Sequence, residues 1–499
     1  MSLFDSLNIG RVALLTQQRA IQTTGRNIAN VNTPGYARQR PIFAPIPAVF
    51  GGDGLPRGGG VELVEVERVV DLSLEAQLQR EQSQLSFDTA FESGLSRIEG
   101  ALDEIAGTGL TSRLDRFFKT LGDVANDPSD LTTREAAVQA ADELVSQIRA
   151  TDLRLEQLEV DLNGQLDRTT QEINEIATEV AQLNQRIREQ EFGASGTSEL
   201  RDRRTFLLGQ LGEKIGFTSF ERADGTAAVF IGGGFVLVDG EVSARLEVDT
   251  TQPTPLADPT FFNIYHVIGG TRSGPITPRL SGGELGATLE LRDDRVQFYR
   301  QQVDRIAFSI ADRFNTVHAA GRGLIDDNAR NLFVDRLTAT AGTPPGTALA
   351  SVAGAAGLIA VNPDLLIDSR HLAAGLPATG PAQPGDNANA LALAGLQTQA
   401  SAVFDIGDPV VGPATGAVQT LNQFLASTAS SLGAEIAGVR SSVASGELSV
   451  AELNSRREAF SGVSIDEEVT QLVKFQRGFE ASARLLSTVD ELLERLLSI

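Results

Sequence analysis

Apolar residues recur at intervals of seven near the start of the chain: Leu7, Leu14, Ile21 and Ile28 share one stripe of a helix. Such a stripe is buried only against a partner helix. The helix is expected to end near Asn30, because Asn tolerates a left-handed cap, Pro34 drives Thr33 out of the helical region, and Pro34 with Gly35 suits a tight turn. At the other end Ile465, Leu472, Phe475, Phe479, Leu486, Val489, Leu493 and Leu496 fill nearly every a and d position of about five heptads. Only Glu468 and Ser482 interrupt that pattern.

Between the ends the periodicity changes several times. Residues 41–60, rich in Pro and Gly, read as an extended linker, and residues 61–66 alternate as one short strand. Helical spacing occupies residues 71–121 and then a very long run, 134–191, on the order of 85 Å if unbroken. Residues 126–130 supply the turn between them, with Asp130 or Thr132 as the cap. After a Gly/Ser break at 192–198 and a short helix at 199–212, residues 216–280 turn to strands. There Asp224-Gly225 and Asp239-Gly240 make hairpin turns, Gly232, Gly233 and Gly234 serve a bulge or bend, and Pro253, Pro255, Pro259, Pro275 and Pro278 mark loops. Helical spacing returns at 286–317 through Leu289, Val296, Val303, Ile306 and Ile310. An irregular Ala-, Gly- and Pro-rich excursion follows, with a strand-like run at 358–361. Asp386 caps the next helix, and segments 387–400, 417–445 and 449–460 lead back into the terminal heptads.

The expected fold is mainly α with an inserted β domain: a terminal coiled coil, a long helical rod and a small outer β domain. The segments are 1–43 (N-terminal coiled coil), 44–215 (first part of the rod, with the linker), 216–280 (β domain), 281–460 (second part of the rod, with the excursion 332–385) and 461–499 (C-terminal coiled coil). A chain that leaves and returns this way has both termini at one end.

Composition narrows the function. The 499 residues exceed one core, and the absence of Cys removes disulfides, thiolate catalysis and Cys-based zinc sites together. A net charge of −23 disfavours nucleic acid or an anionic membrane as partner. The longest charge-free stretch is too broken by Pro and Gly to span a bilayer. Residues 1–40 carry a net +4 and residues 464–499 a net −3, so the two ends are expected to attract. Neither glycine cluster leads into a helix start that would hold a phosphate. His318, with Asp326, Asp327 and Asp335 downstream, fails as a calcium loop, since Arg330 and Asn331 stand where an acidic or amide ligand and a glycine are needed. It reads as a packing or capping His. No catalytic, cofactor or metal residues are assigned.

The turn Asn30, Val31, Asn32, Thr33, Pro34, Gly35, Tyr36, with Arg38 and Gln39 behind it, resembles the rod, hook and junction group of bacterial flagellar axial proteins. So does Gly462, Val463, Ser464, Ile465, Asp466, Glu467, Glu468 leading into 475–483. Three internal stretches, 199–204, 282–294 and 314–321, resemble the hook–filament junction branch. The resemblance implies an inner coiled-coil layer from both termini, a helical rod, and a β domain at the rod's tip facing outward. It also implies a mechanical role in the extracellular flagellum, reached by type III export without a cleaved signal; the start, with Asp5 and no basic run before an apolar one, agrees. The implied partners are other copies of the chain in a helical ring, the hook protein, a second junction protein, and an export chaperone with the export apparatus. The alternative is a secreted coiled-coil binding or adhesin-type protein outside the flagellum.

Overall fold

The computed structural model describes residues 3–47, 49–50, 56–57, 59–102, 109–191, 197–249, 262–325, 329–377, 384–400 and 419–497. Most of the expected break at 192–198, the loop prolines Pro253, Pro255 and Pro259, and Asp326 and Asp327 lie outside them.

Helix α1 (Leu3–Ala29) leads into a hairpin of β1 (Gln39–Ile46) and β4 (Gly60–Arg68), whose tip pairs β2 (Val49–Phe50) with β3 (Pro56–Arg57). The linker expected at 41–60 is therefore largely β structure. Pro41 and Pro45 are tolerated because a two-stranded ribbon is all edge, so a missing N–H can face solvent. The rod follows as α2 (Leu72–Leu102), α3 (Leu110–Asn126) and α4 (Leu131–Glu191). The last is one unbroken helix of 61 residues, about 90 Å long. Asp130 caps it by accepting from the Thr132 and Thr133 amides.

Helix α5 (Ser198–Lys214) folds back on α4, and its Arg203 and Lys214 pair with Glu179 and Glu172. Two small antiparallel sheets come next: β5 (Phe217–Glu221), β6 (Ala227–Ile231), β7 (Phe235–Asp239) and β8 (Val242–Ser243) in that order, then β9 (Arg245–Asp249), β10 (Asn263–Ile268) and β11 (Thr271–Pro275) with β10 central. Gly225 and Gly240 take the left-handed turn positions expected of them. Gly232, Gly233 and Gly234, also at positive φ, form the β6–β7 turn itself rather than a bend within a strand.

The sheets do not sit at the rod's tip. Asn174 of α4 pairs with both the amide and the carbonyl of Leu246, and Asn184 binds Ala227 in the same way and also donates to the Gly240 carbonyl. Those positions lie toward the Glu191 end of α4, beside α5, whose Asp202 binds Arg68 of the β1–β4 hairpin. Leu166, Ile173, Val180 and Leu183 share one core with Leu207, Val229, Leu237 and Ile264, so sheets and rod bury each other.

Helix α6 (Gly283–Glu290) runs through a π-helical turn, Leu291–Val296, into α7 (Gln297–His318). The wider turn brings the consecutive residues Leu291 and Arg292 inward together. Arg292 reaches Asn163 and the Phe262 carbonyl at 2.9 and 3.0 Å. The far end of the rod is built by the expected excursion. Strand β12 (Phe333–Asp335), helix α8 (Ala355–Leu358), strand β13 (Ile359–Val361), helix α9 (Pro363–Ile367) and helix α10 (Ala388–Gly395) are short and irregularly joined. Yet Phe333, Ile359, Leu365, Leu372 and Leu393 are buried with α3, α4 and α7 in the main core. Irregular backbone here is core. His318 holds it in place: Nδ1 donates to the Arg330 carbonyl at 2.8 Å and Nε2 accepts from the Ala373 amide at 3.0 Å. Helix α11 (Leu421–Ser461), opened by a Thr420–Gln423 capping box, returns along α2 to the terminal helix α12 (Ile465–Leu497).

Candidate subunit-interaction site

Helices α1 and α12 lie antiparallel, and glycines let them approach. A Cβ at Gly10 would come 3.1 Å from Leu486, and one at Gly478 would come 3.0 Å from Gln17. Phe475 and Val489 are buried, while Leu7, Leu14, Ile21, Ile28, Leu472, Phe479, Leu486 and Leu493 are half-buried. Leu496 is on α12, but its side chain is not among those described. The most buried line of α1 is Thr16, Ala20, Thr23, Thr24 and Asn27, beside the predicted stripe. The β1–β4 hairpin covers it: Thr16 Oγ1 donates to the Val61 carbonyl at 2.9 Å, and Phe43 meets Phe475 edge to face at 6.0 Å. The terminal layer thus has three elements, not two.

Where the layer joins the rod, a buried polar clasp forms around Asn27, which is 1 % exposed. Asn27 Nδ2 donates to the Gln39 carbonyl and to Glu468 Oε2, both at 2.9 Å, while its Oδ1 accepts from the Gln39 amide at 3.0 Å and from the Tyr36 hydroxyl at 2.8 Å. Arg38 donates to Glu468 Oε1 at 2.8 Å and to Glu467 at 2.7 Å, and its amide bonds the Ser461 carbonyl. Glu468, 3 % exposed, is the first interruption of the C-terminal heptads. A carboxylate sits at that d position because Asn27 and Arg38 each donate to one of its oxygens. Ser482, the second interruption, donates to the Gly478 carbonyl of its own helix.

The turn motif is spent on shape and on the clasp. Asn30 donates to the Arg26 carbonyl and accepts from Thr33, while Asn32, Thr33 and Pro34 are exposed. Gly35, at φ 80°, packs where a Cβ would come 3.1 Å from Phe206 of α5. Burial, reinforced by the Asp202 carboxylate, pushes the Tyr36 hydroxyl pKa well up, so it stays a donor. Asp202 in turn accepts from Arg68 at 2.6 and 2.9 Å. Its neighbour Arg204 reaches Asn184, the Gly225 carbonyl and Glu221. The internal stretch 199–204 therefore ties the terminal layer, the sheets and the rod together.

Sequence reasoning missed Asn27, the centre of the clasp. Its signal was a polar residue one position before the stripe residue Ile28, on a face otherwise lined by small residues. The expected attraction between the ends is realised at Arg38, which pairs with Glu467 and Glu468; Arg11, Arg19 and Arg26 form no ion pair among the described residues. Nor do the described residues hold a group of three His, Cys, Asp or Glu placed for a metal ion, or a helix long and apolar enough to cross a membrane. The arrangement is suited to transmitting force: long helices, a glycine-tight helix pair, and a polar clasp at the joint.

Comparison with known proteins gives a consistent result. The family described as the flagellar hook-associated protein FlgK helical domain matches residues 95–333. The flagellar basal body rod FlgEFG protein C-terminal family matches 457–499, and the flagella basal body rod protein family matches 7–36. Flagellar hook-associated protein 1 of Escherichia coli (strain K12) is 25% identical over 562 residues, covering 99% of each chain. Its namesake in Bacillus subtilis (strain 168) is 27% identical over 533 residues, covering 100% of this chain and 98% of the relative. In fold, the chain is similar to the flagellar hook junction protein FlgK from Burkholderia pseudomallei, with a TM-score of 0.63, 17% identity, and coverage of 77% of this chain and 100% of that one.

Proposed function

We propose, since this chain belongs to the flagellar hook-associated protein 1 family, that its clasped terminal layer is the surface by which subunits join one another. The protein is a structural component of the extracellular flagellum, at the junction between hook and filament. In this reading it binds copies of itself head to tail in a helical ring, with the hook protein on one side and a second junction protein on the other. Before assembly it travels with an export chaperone through the flagellar type III apparatus. The role is mechanical and includes no catalytic step.

One observation carries the reading. Pairing with α1 and the hairpin leaves Val469, Val473, Leu485 and Leu492 of α12 each at least 41 % exposed, an apolar surface that awaits a neighbour. The buried clasp supports it, because it fixes the pair's angle to the rod and so presents the same surface in every copy. The residues assigned to subunit contact from the sequence, Leu7, Leu14, Ile21, Ile28, Leu472, Phe475, Phe479, Leu486, Val489, Leu493 and Leu496, act in this reading by holding the α1–α12 pair together, since Phe475 and Val489 are already buried within the chain. The test is addition of the purified chain to the ends of isolated hooks. Incorporation as a discrete layer supports the reading; a chain that binds elsewhere or nowhere sinks it in favour of a free coiled-coil binder.

A further inference from the structure

We infer that the cationic outer face of α1 in one copy docks on an acidic flank of α12 in a second copy, an inference that rests on the junction reading above. At 100° per residue, Arg11, Leu15, Arg19 and Arg26 fall within an arc of about 80° on the side of α1 turned away from α12 and the hairpin. All four are exposed, no acidic residue interrupts them, and the arginines form no ion pair among the described residues. Helix α12 divides its own outer surface by sign. Glu480, Asp490, Glu491 and Glu494 lie on one flank together with the exposed Val469 and Val473, while Lys474, Arg477, Arg484 and Arg495 take the adjoining arc. Those four acids form no ion pair among the described residues either.

The two faces match in length as well as in sign. Arg11 to Arg26 spans about 22 Å and Glu480 to Glu494 about 21 Å at the helical rise. Leu15 lies exposed among the arginines, and the exposed Val469 and Val473 continue the acidic flank toward the start of α12. Within one chain they do not meet: the arginine face of α1 is turned away from α12, and no ion pair joins the two sets among the described residues. The fit is therefore between copies, and it is heterologous: each copy offers its α1 face to one neighbour and its α12 flank to the other, which propagates a ring or helix instead of closing a dimer.

The test uses the full chain added to isolated hooks, with thermal melting as the check on folding. The α1 triple reversal R11E/R19E/R26E and the α12 triple reversal E480R/D490R/E494R are each expected to cut incorporation by more than about tenfold. A chain carrying both sets restores opposite charge at every interface and should recover most of it. Triple reversals that melt normally and add as well as the unchanged chain overturn the inference, as does a combined variant no better than either alone. Should a reversal fail to fold, R11Q/R19Q/R26Q replaces it, with loss of the salt sensitivity of addition as the expected result and unchanged sensitivity as the contrary one. Failure of the unchanged chain to add to hooks is a different outcome, and it removes the junction reading itself.

Discussion

Replacing Asn27 with Ala tests whether the clasp, and not apolar burial alone, fixes the terminal layer to the rod. The substitution removes four hydrogen bonds: two donated, to the Gln39 carbonyl and to Glu468, and two accepted, from the Gln39 amide and the Tyr36 hydroxyl. Glu468 keeps its bond from Arg38, so its carboxylate is not abandoned. The Gln39 amide and carbonyl are, since Gln39 is 2 % exposed and neither strand pairing nor solvent replaces the lost partner easily. At about 1 kcal/mol for an ordinary bond and 1–3 for each stranded buried group, the loss is roughly 3–5 kcal/mol, eased if a water enters the vacated space. Native-state hydrogen exchange localises it. Amides of α1, α12 and the hairpin flanking the clasp should lose about that much opening free energy. Those of α4 around Leu155, which belong to the main core, should hold theirs. Asn30→Ala, which loses a bond to the Arg26 carbonyl and one from the Thr33 hydroxyl on a turn where water replaces both, is the control and should cost under about 1 kcal/mol. Unchanged exchange in α12 of the Asn27 variant, or an equal drop in α4, would refute the reasoning.

Three further outcomes are expected. Leu486→Asp puts a carboxylate against Gly10 in the helix seam, losing about 2–3 kcal/mol of apolar contact and adding several for the unpaired charge; addition to hooks should fail while the rod's melting transition stays put. Excising residues 216–280 in favour of a Gly/Ser linker strips Val180, Leu183 and Leu207 of their cover, so calorimetry should show a destabilised rod, and an unaltered transition would mean that the sheets are dispensable to it. On the acid side, burial holds the His318 pKa near 4, so the unfolded chain binds its proton first and stability drains away, by about 3 kcal/mol, as pH falls from about 6.5 to 4. Asp304, pushed up to about 6 by burial, contributes stability that is greatest at low pH and fades as pH rises through 6. Asp304→Asn should therefore steepen the acid loss in pH-dependent denaturant unfolding, and a flat profile in that variant contradicts the assignment.

What was legible in the sequence followed from periodicity over long distances. The single long helix α4, the hairpin turns at Gly225 and Gly240 and the pairing of the two ends each repeat one simple rule many times. What stayed hidden depends on partners far apart in the chain. Glu468 reads as a defect in a heptad until Asn27, some 440 residues earlier, is seen to bind it. Residues 41–60 read as a linker because Pro and Gly dominate, and only pairing with 60–68 makes a ribbon of them. The same holds for the far end of the rod, where Phe333, Ile359 and Leu372 are too scattered in sequence to signal the core they complete. The position of the sheets beside α4 turns on two asparagines, Asn174 and Asn184, ten residues and so about 80° of helix apart, each of which binds a different sheet.

Electron cryomicroscopy of hooks after addition of this chain tests the central claim most directly. The account predicts a layer of subunits at the hook end with the paired α1 and α12 innermost, their exposed apolar residues covered by neighbouring copies, and the sheets farther from the axis. A layer in which the terminal helices face outward, or hooks that carry no added layer, would contradict it.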